Sequence, residues 1–132
     1  MNYPENSISL VIPCFNEEGN IEVIYQLIKK ELENHIPFEL IFVNDGSTDQ
    51  TLLRIIQLSK LDSRIRYISF SRNFGHQNAL KAGLDHAIGD CVISLDADLQ
   101  HPPRLIKEFI EKWKQGYDVV YSIRQEIGRA HV

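Results

Sequence analysis

Two aspartates stand two residues apart in Asp96-Ala97-Asp98, directly after the apolar run from Cys91 to Leu95. In an extended segment such residues project to the same side, so both carboxylates can face one ligand. Carboxylates held that close repel each other unless a cation sits between or beside them. Hard divalent cations take oxygen ligands, and magnesium commonly binds one or two carboxylates together with substrate phosphates. Gln100, two residues further on, offers a neutral oxygen. Asp96, Asp98 and Gln100 thus form a candidate site for Mg2+ or Mn2+ bridging the protein and a diphosphate, where the ion would stabilise charge building on a leaving group. A turn leading to Pro102 is the competing reading of the same triplet.

Asp45 ends a second apolar run. An ionised carboxylate only accepts hydrogen bonds, so it suits a ring N–H of the kind carried by uracil or guanine, which adenine lacks. An Asx turn capping the next helix is the other reading. Glu17 and Glu18 fall in what reads as the first turn of a helix, where the dipole favours negative side chains; that accounts for Glu18 and leaves Glu17 open. Phe15 is placed to stack on a base or to pack at a strand end. Lys81 and Arg124 are placed to meet phosphate or to be solvated. His76, His86 and His101 show no metal-ligand spacing, and His35 and His131 show no pattern. The chain has no nucleophile elbow, no G-x-G-x-x-G and no P-loop, which removes the main support for hydrolase, dinucleotide-binding and P-loop NTPase readings.

Alternating strands and helices position these groups. Ile8 to Pro13 is a short branched run. Ile21, Ile24, Tyr25, Ile28 and Leu32 share one face of a helix. Phe38 to Val43 is apolar almost throughout, as in a strand covered on both faces. Asp45-Gly46-Ser47 marks a turn, and Thr48 or Asp49 can cap a helix through about Leu61. Arg66 to Phe70 reads as a third strand. A helix from about Gln77 to Ile88 follows, with Leu80, Gly83, Leu84, Ala87 and Ile88 on its core side. Cys91 to Leu95 is a fourth strand. Pro102-Pro103 opens a helix with core positions Ile106, Phe109, Ile110 and Trp113. Gly116 stops it, and Asp118 to Ile123 reads as a fifth strand. The alternation predicts an α/β fold, a Rossmann-like open parallel sheet with helices on both faces. Ligands of such sheets bind beyond the carboxyl ends of the strands. The clusters Pro13–Glu18, Asn44–Ser47 and Asp96–Gln100 would converge there.

The 132 residues suit one compact domain, and 43% apolar with 24% charged residues is ordinary composition for a soluble chain. A net charge of −4 with scattered basic residues argues against nucleic acid as a partner. The start of the chain carries no signal pattern, and no apolar stretch approaches the roughly 20 residues that span a bilayer. Cys14 and Cys91 lie in or beside apolar runs and read as buried reduced thiols, which places the chain in the cytoplasm. Residues 127–132 show neither periodicity nor capping logic. One back-translation of them matches a widely used sequencing adapter, so they read as a non-native read-through tail. The domain is then 1–126, incomplete at its C-terminus.

Four segments occur in order: Val11-Ile12-Pro13-Cys14-Phe15-Asn16-Glu17-Glu18, Val43-Asn44-Asp45-Gly46-Ser47-Thr48-Asp49, Ser71-Arg72-Asn73-Phe74-Gly75 and Leu95-Asp96-Ala97-Asp98-Leu99-Gln100-His101-Pro102-Pro103. Together they resemble family 2 glycosyltransferases of the GT-A fold, in the branch of dolichyl-phosphate mannosyltransferases and bacterial polyprenyl-phosphate glycosyltransferases. The resemblance covers roughly residues 6 to 126, the nucleotide-sugar-binding half of such an enzyme. It implies that Pro13, Phe15, Glu17, Val43 and Asp45 line a nucleoside pocket. It implies that Asp96, Ala97 and Asp98 meet the diphosphate, with Asp98 and Gln100 as metal ligands and Arg124 as a sugar-nucleotide contact. Phe15 stands where relatives frequently have tyrosine, a change that keeps stacking and loses a hydroxyl.

The implied reaction is inverting transfer of a sugar from a UDP- or GDP-sugar to a polyprenyl or dolichyl phosphate. A hydroxyl acceptor would need a general base, whereas a lipid phosphate, with a second ionisation near pH ~6, is largely charged already. The resemblance also places membrane contact, on the cytoplasmic face, in the full-length parent alone, so that the fragment binds donor and metal without efficient transfer. Rival readings are a family 2 enzyme acting on a saccharide or protein hydroxyl, and a non-catalytic sugar-nucleotide-binding module. A signalling receiver module wants a lone aspartate after the third strand and a lysine after the fifth. The chain has Ser69-Phe70-Ser71 and Ile123-Arg124 there.

Overall fold

The computed structural model describes residues 7–98, 106, 108, 110–112 and 122–123. In chain order these give β1 (Ile8–Cys14), α1 (Ile21–Leu32), β2 (Phe38–Asn44), α2 (Thr51–Leu61), β3 (Ile65–Ser69), α3 (His76–His86), β4 (Cys91–Leu95) and β5 (Ser122–Ile123). All pairings are parallel and the order across the sheet is β3-β2-β1-β4-β5. The chain winds outward from β1 through β2 to β3, then returns through α3 to β4 on the other side of β1. That reversal opens a crevice beside the carboxyl end of β1, the usual ligand position in such sheets.

Two apolar layers hold the sheet. Every residue of β1 and β2 is buried, as unbroken apolar runs require. Ile8, Leu10 and Ile12 face the layer made with Ile21, Ile24, Tyr25, Ile28 and Leu32 of α1 and Ile55 and Leu58 of α2. Ile106 and Ile110, helical residues beyond β4, join that layer. Val11, Ile41 and Val43 face the opposite layer with Ala79 of α3. Phe109, Trp113, Gly116 and the start of the predicted fifth strand lie outside the described residues, as does the segment 127–132.

Two local expectations change. The side of α3 that meets the sheet carries Ala79 and Gly83, while Leu84 is 40% and Ile88 51% exposed. Small side chains at positions four apart let the helix come close. A Cβ on Gly83 would stand 2.2 Å from Val11 Cγ1. A leucine row cannot occupy that gap, so Leu84 turns outward. Glu17 and Glu18 precede α1 and lie outside its first turn, where Glu22 is the acidic residue.

A polar network crosses the sheet interior near the amino ends of the strands. Glu39, fully buried, accepts from Ser9 Oγ, from Arg66 Nη1 at 2.7 Å and from the Ile88 N–H at 2.9 Å. Ionic and polar partners together satisfy a carboxylate that burial would otherwise penalise.

Candidate functional site

Three loops leave the carboxyl edge of the sheet and are tied to one another. Asn16, with φ of 53°, holds a left-handed conformation that asparagine tolerates. Its side-chain oxygen accepts from the Thr48 N–H at 2.8 Å, and its own N–H donates to Ser47 Oγ at 3.0 Å. The Glu17 N–H donates to Thr51 Oγ1 at 2.8 Å, and the Glu18 N–H to Asp49 Oδ2 at 3.3 Å. Asp49 also takes the Thr51 N–H at 2.9 Å from one residue before the N-cap, which is Gln50 and not Thr48 or Asp49 as expected. Burial raises the Asp49 pKa, but hydrogen bonds from the Thr51 hydroxyl and N–H and the Glu18 N–H outweigh that and hold it below its ordinary value.

Asp45 is the hinge pin of the second loop. It is 4% exposed, and its carboxylate takes the Phe74 N–H on Oδ1 at 2.7 Å and the Gly75 N–H on Oδ2 at 3.1 Å. Asn73 Nδ2 donates to its carbonyl at 3.3 Å. The segment Ser71-Arg72-Asn73-Phe74-Gly75 is thereby folded over the end of β2. Gly46 permits this: its φ is +69°, and a Cβ there would stand 2.1 Å from the Arg72 carbonyl carbon.

A cavity of about 340 Å³ opens between these loops, lined by Pro13, Cys14, Phe15, Glu17, Asp45, Asn73, Gly75, His76, Ala79, Asp96, Ala97 and Asp98. Of the candidates named from sequence, Pro13, Phe15, Glu17, Asp45, Asp96, Ala97 and Asp98 thus share one wall system. Val43 is fully buried in the α3-side layer and is not among the lining residues. Gln100 and Arg124 lie outside the described residues. Phe15 is 45% exposed, free to offer a ring face.

Five lining residues were not among the sequence candidates: Cys14, Asn73, Gly75, His76 and Ala79. The signal for four of them was available, since Asn73 to Ala79 follows the carboxyl end of the third strand, where ligand contacts gather. Burial, then the charge of Glu17, pushes the Cys14 thiol well above its ordinary pKa, so it is an inert neutral thiol on the cavity floor.

Glu17, Asp45, Asp96 and Asp98 bring four carboxylates to the cavity, and among the described residues no lysine or arginine lines it. Among the described residues no group of three or more His, Cys, Asp or Glu side chains forms a metal cage. Asp96 and Asp98 fit a magnesium-like ion that keeps part of its oxygen shell for substrate phosphates.

The family model described as glycosyl transferase family 2 matches residues 9–130. The chain belongs to this family. This family 2 chain is 48% identical over 126 residues to the putative glycosyltransferase CsbB of Bacillus subtilis, covering 95% of the chain and 38% of that protein. It is 47% identical over 121 residues to the bactoprenol glucosyl transferase of Shigella phage SfV, covering 90% of the chain and 39% of the relative. It therefore spans about two-fifths of the length of these curated relatives. A solved structure of glucosyl-3-phosphoglycerate synthase from Mycobacterium tuberculosis, in complex with Mn2+, UDP and phosphoglyceric acid, superposes with a TM-score of 0.67 at 28% identity, covering 86% of the family 2 chain and 40% of that one. The fold is the GT-A type implied by the four sequence segments. Among the described residues no helix is long and apolar enough to cross a membrane.

Proposed function

We propose that this chain is the donor-binding half of an inverting glycosyltransferase that moves a sugar from a nucleoside-diphosphate sugar to a polyprenyl phosphate. The observation that carries the reading is the cavity at the sheet's switch point, where Glu17, Asp45, Asp96 and Asp98 bring four carboxylates and, among the described residues, no lysine or arginine lines the walls. Such a cavity repels a diphosphate on its own and accepts one together with a divalent cation. Asp96 and Asp98, joined by Gln100, would hold Mg2+ or Mn2+. When bound, that ion neutralises the pyrophosphate and stabilises it as the leaving group. Asp45, already fixed by two backbone N–H groups, has lone pairs left for a base N–H, which favours uracil or guanine. Phe15 supplies a stacking face, Pro13 and Glu17 frame the nucleoside, and Arg124 meets the sugar nucleotide.

The name bactoprenol glucosyl transferase, carried by relatives, supports a polyprenyl phosphate acceptor and a glucose donor; a UDP-linked donor, and work at the cytoplasmic face of a membrane in the longer parent, complete the proposed reading. The donor half is proposed to span residues 1–126; the family match covers 9–130. A phosphate acceptor arrives already ionised, so none of the four carboxylates is needed as a general base. Calorimetry with UDP-glucose and GDP-mannose, with and without Mn2+, tests the reading. Binding should require the metal, and Asp96→Asn or Asp98→Asn should weaken it by about a hundredfold, the loss of a charged ligand. Tight metal-independent binding, or no binding of either donor, would sink it.

A further inference from the structure

His76 stands apart from the other wall residues. It opens α3, lines the cavity and is half-buried, yet its Nε2 is shielded from solvent and has no hydrogen-bond partner among the described residues. A shielded ring nitrogen without a partner is costly, and rotation of the ring toward a ligand group relieves that cost. The adjoining residue, Gly75, donates its N–H to Asp45 Oδ2 at 3.1 Å, so His76 is anchored beside Asp45. α3 packs over β1 and β2, whereas Asp96 and Asp98 follow β4, on the far side of β1. His76 therefore sits on the nucleoside side of the cavity, away from the two aspartates that would meet the diphosphate.

We propose that His76 reads the nucleobase: its Nε2–H donates to the exocyclic carbonyl flanking the ring N–H that Asp45 accepts. The inference rests on the donor-binding reading above. An acceptor beside a donor on the outer edge of the base matches the C4 carbonyl and N3–H of uracil, and equally O6 and N1–H of guanine. Cytosine presents an amino group and a bare ring nitrogen instead, so the pair rejects it.

The test measures UDP and CDP binding to this chain in Mn2+, by direct titration and by competition. His76→Ala should weaken UDP roughly five- to tenfold, the loss of one hydrogen bond, and leave CDP unchanged or tighter. His76→Gln, which keeps an N–H donor, should retain most of the preference for UDP, and near-equal melting temperatures show that the fold is intact. Equal weakening of UDP and CDP by His76→Ala would mean a phosphate contact or a structural role and overturns the proposal. So does an unchanged UDP affinity. Failure of the unaltered chain to bind UDP at all strikes the donor-binding reading itself.

Discussion

At Asp45, a single carboxylate joins structure to ligand chemistry. Its two oxygens are oriented by the Phe74 and Gly75 N–H groups, so on the proposed reading the side chain would meet a base N–H pre-positioned. This depends on its neighbour. Gly46→Ala would put a methyl against the Arg72–Asn73 backbone and force a residue with a Cβ to hold φ of +69°. We expect a loss of about 2–4 kcal/mol in stability, from backbone strain plus the displaced loop. Donor affinity should fall with it; chemical denaturation and calorimetry on the same variant check both, and a fully stable variant would show that the loop does not rest on Gly46. Sequence alone exposed Asp45, Asp96 and Asp98 because carboxylates at strand ends are informative by type and place. For Asn73 and His76 it offered only their place beyond the third strand, because the loop that folds back over β2 and brings them to the cavity is a tertiary contact with no periodicity of its own.

Elements are joined elsewhere by a three-residue cluster, Tyr25 of α1, Asp62 after α2 and Arg64 before β3. Tyr25 Oη donates to Asp62 at 2.6 Å, and Arg64 donates to it through Nε at 3.0 Å and Nη2 at 2.8 Å. Arg64 also lies over the Phe38 ring, 4.4 Å from its centroid. Burial, then the hydrogen bond and charge of Asp62, pushes the Tyr25 hydroxyl up to about 12 from 10.0. Arg64, opposed by burial and helped by Tyr25, holds Asp62 well below the usual carboxylate range. The signs follow from linkage. Asp62's contribution is present above its unfolded value of 3.8 and is lost as pH falls below it. Tyr25's contribution is present below 10.0 and is lost as pH rises from there to about 12. Denaturant midpoints against pH should show both limbs, with Tyr25→Phe costing about 1 kcal/mol at neutral pH and flattening the alkaline one. An alkaline limb unaltered in that variant would remove Tyr25 from the account. The α1 face was legible from spacing because five large apolar residues leave one way to turn the helix. The α3 face was legible in part: Gly83 is buried and Leu80 and Ala87 pack against the sheet as expected, whereas Leu84 and Ile88 are exposed because the close contact takes the small Ala79 and Gly83, and size complementarity is invisible to a hydrophobic pattern.

For the whole molecule, the decisive quantity is charge. On the proposed reading, a donor diphosphate would enter a cavity with four carboxylates because a divalent ion comes with it, but a lipid phosphate acceptor would bring a second anion to the same place. In-line attack needs that phosphate held about 3 Å from the anomeric carbon, which requires cationic or N–H contacts of its own. No lysine or arginine lines the cavity among the described residues, and the chain spans about two-fifths of its curated relatives. On the proposed reading, the groups that hold the acceptor would then come from outside the described walls. We expect this chain, saturated with UDP-sugar and Mn2+, to transfer label to polyprenyl phosphate in detergent at least a thousandfold more slowly than the full-length parent, on the order of the effective concentration that positioning supplies. Donor affinities of the two should agree within about threefold, because the donor walls are the same. Transfer by the chain at a parent-like rate would show that the acceptor needs no further contacts, and would move the origin of catalysis wholly onto the metal-bound donor.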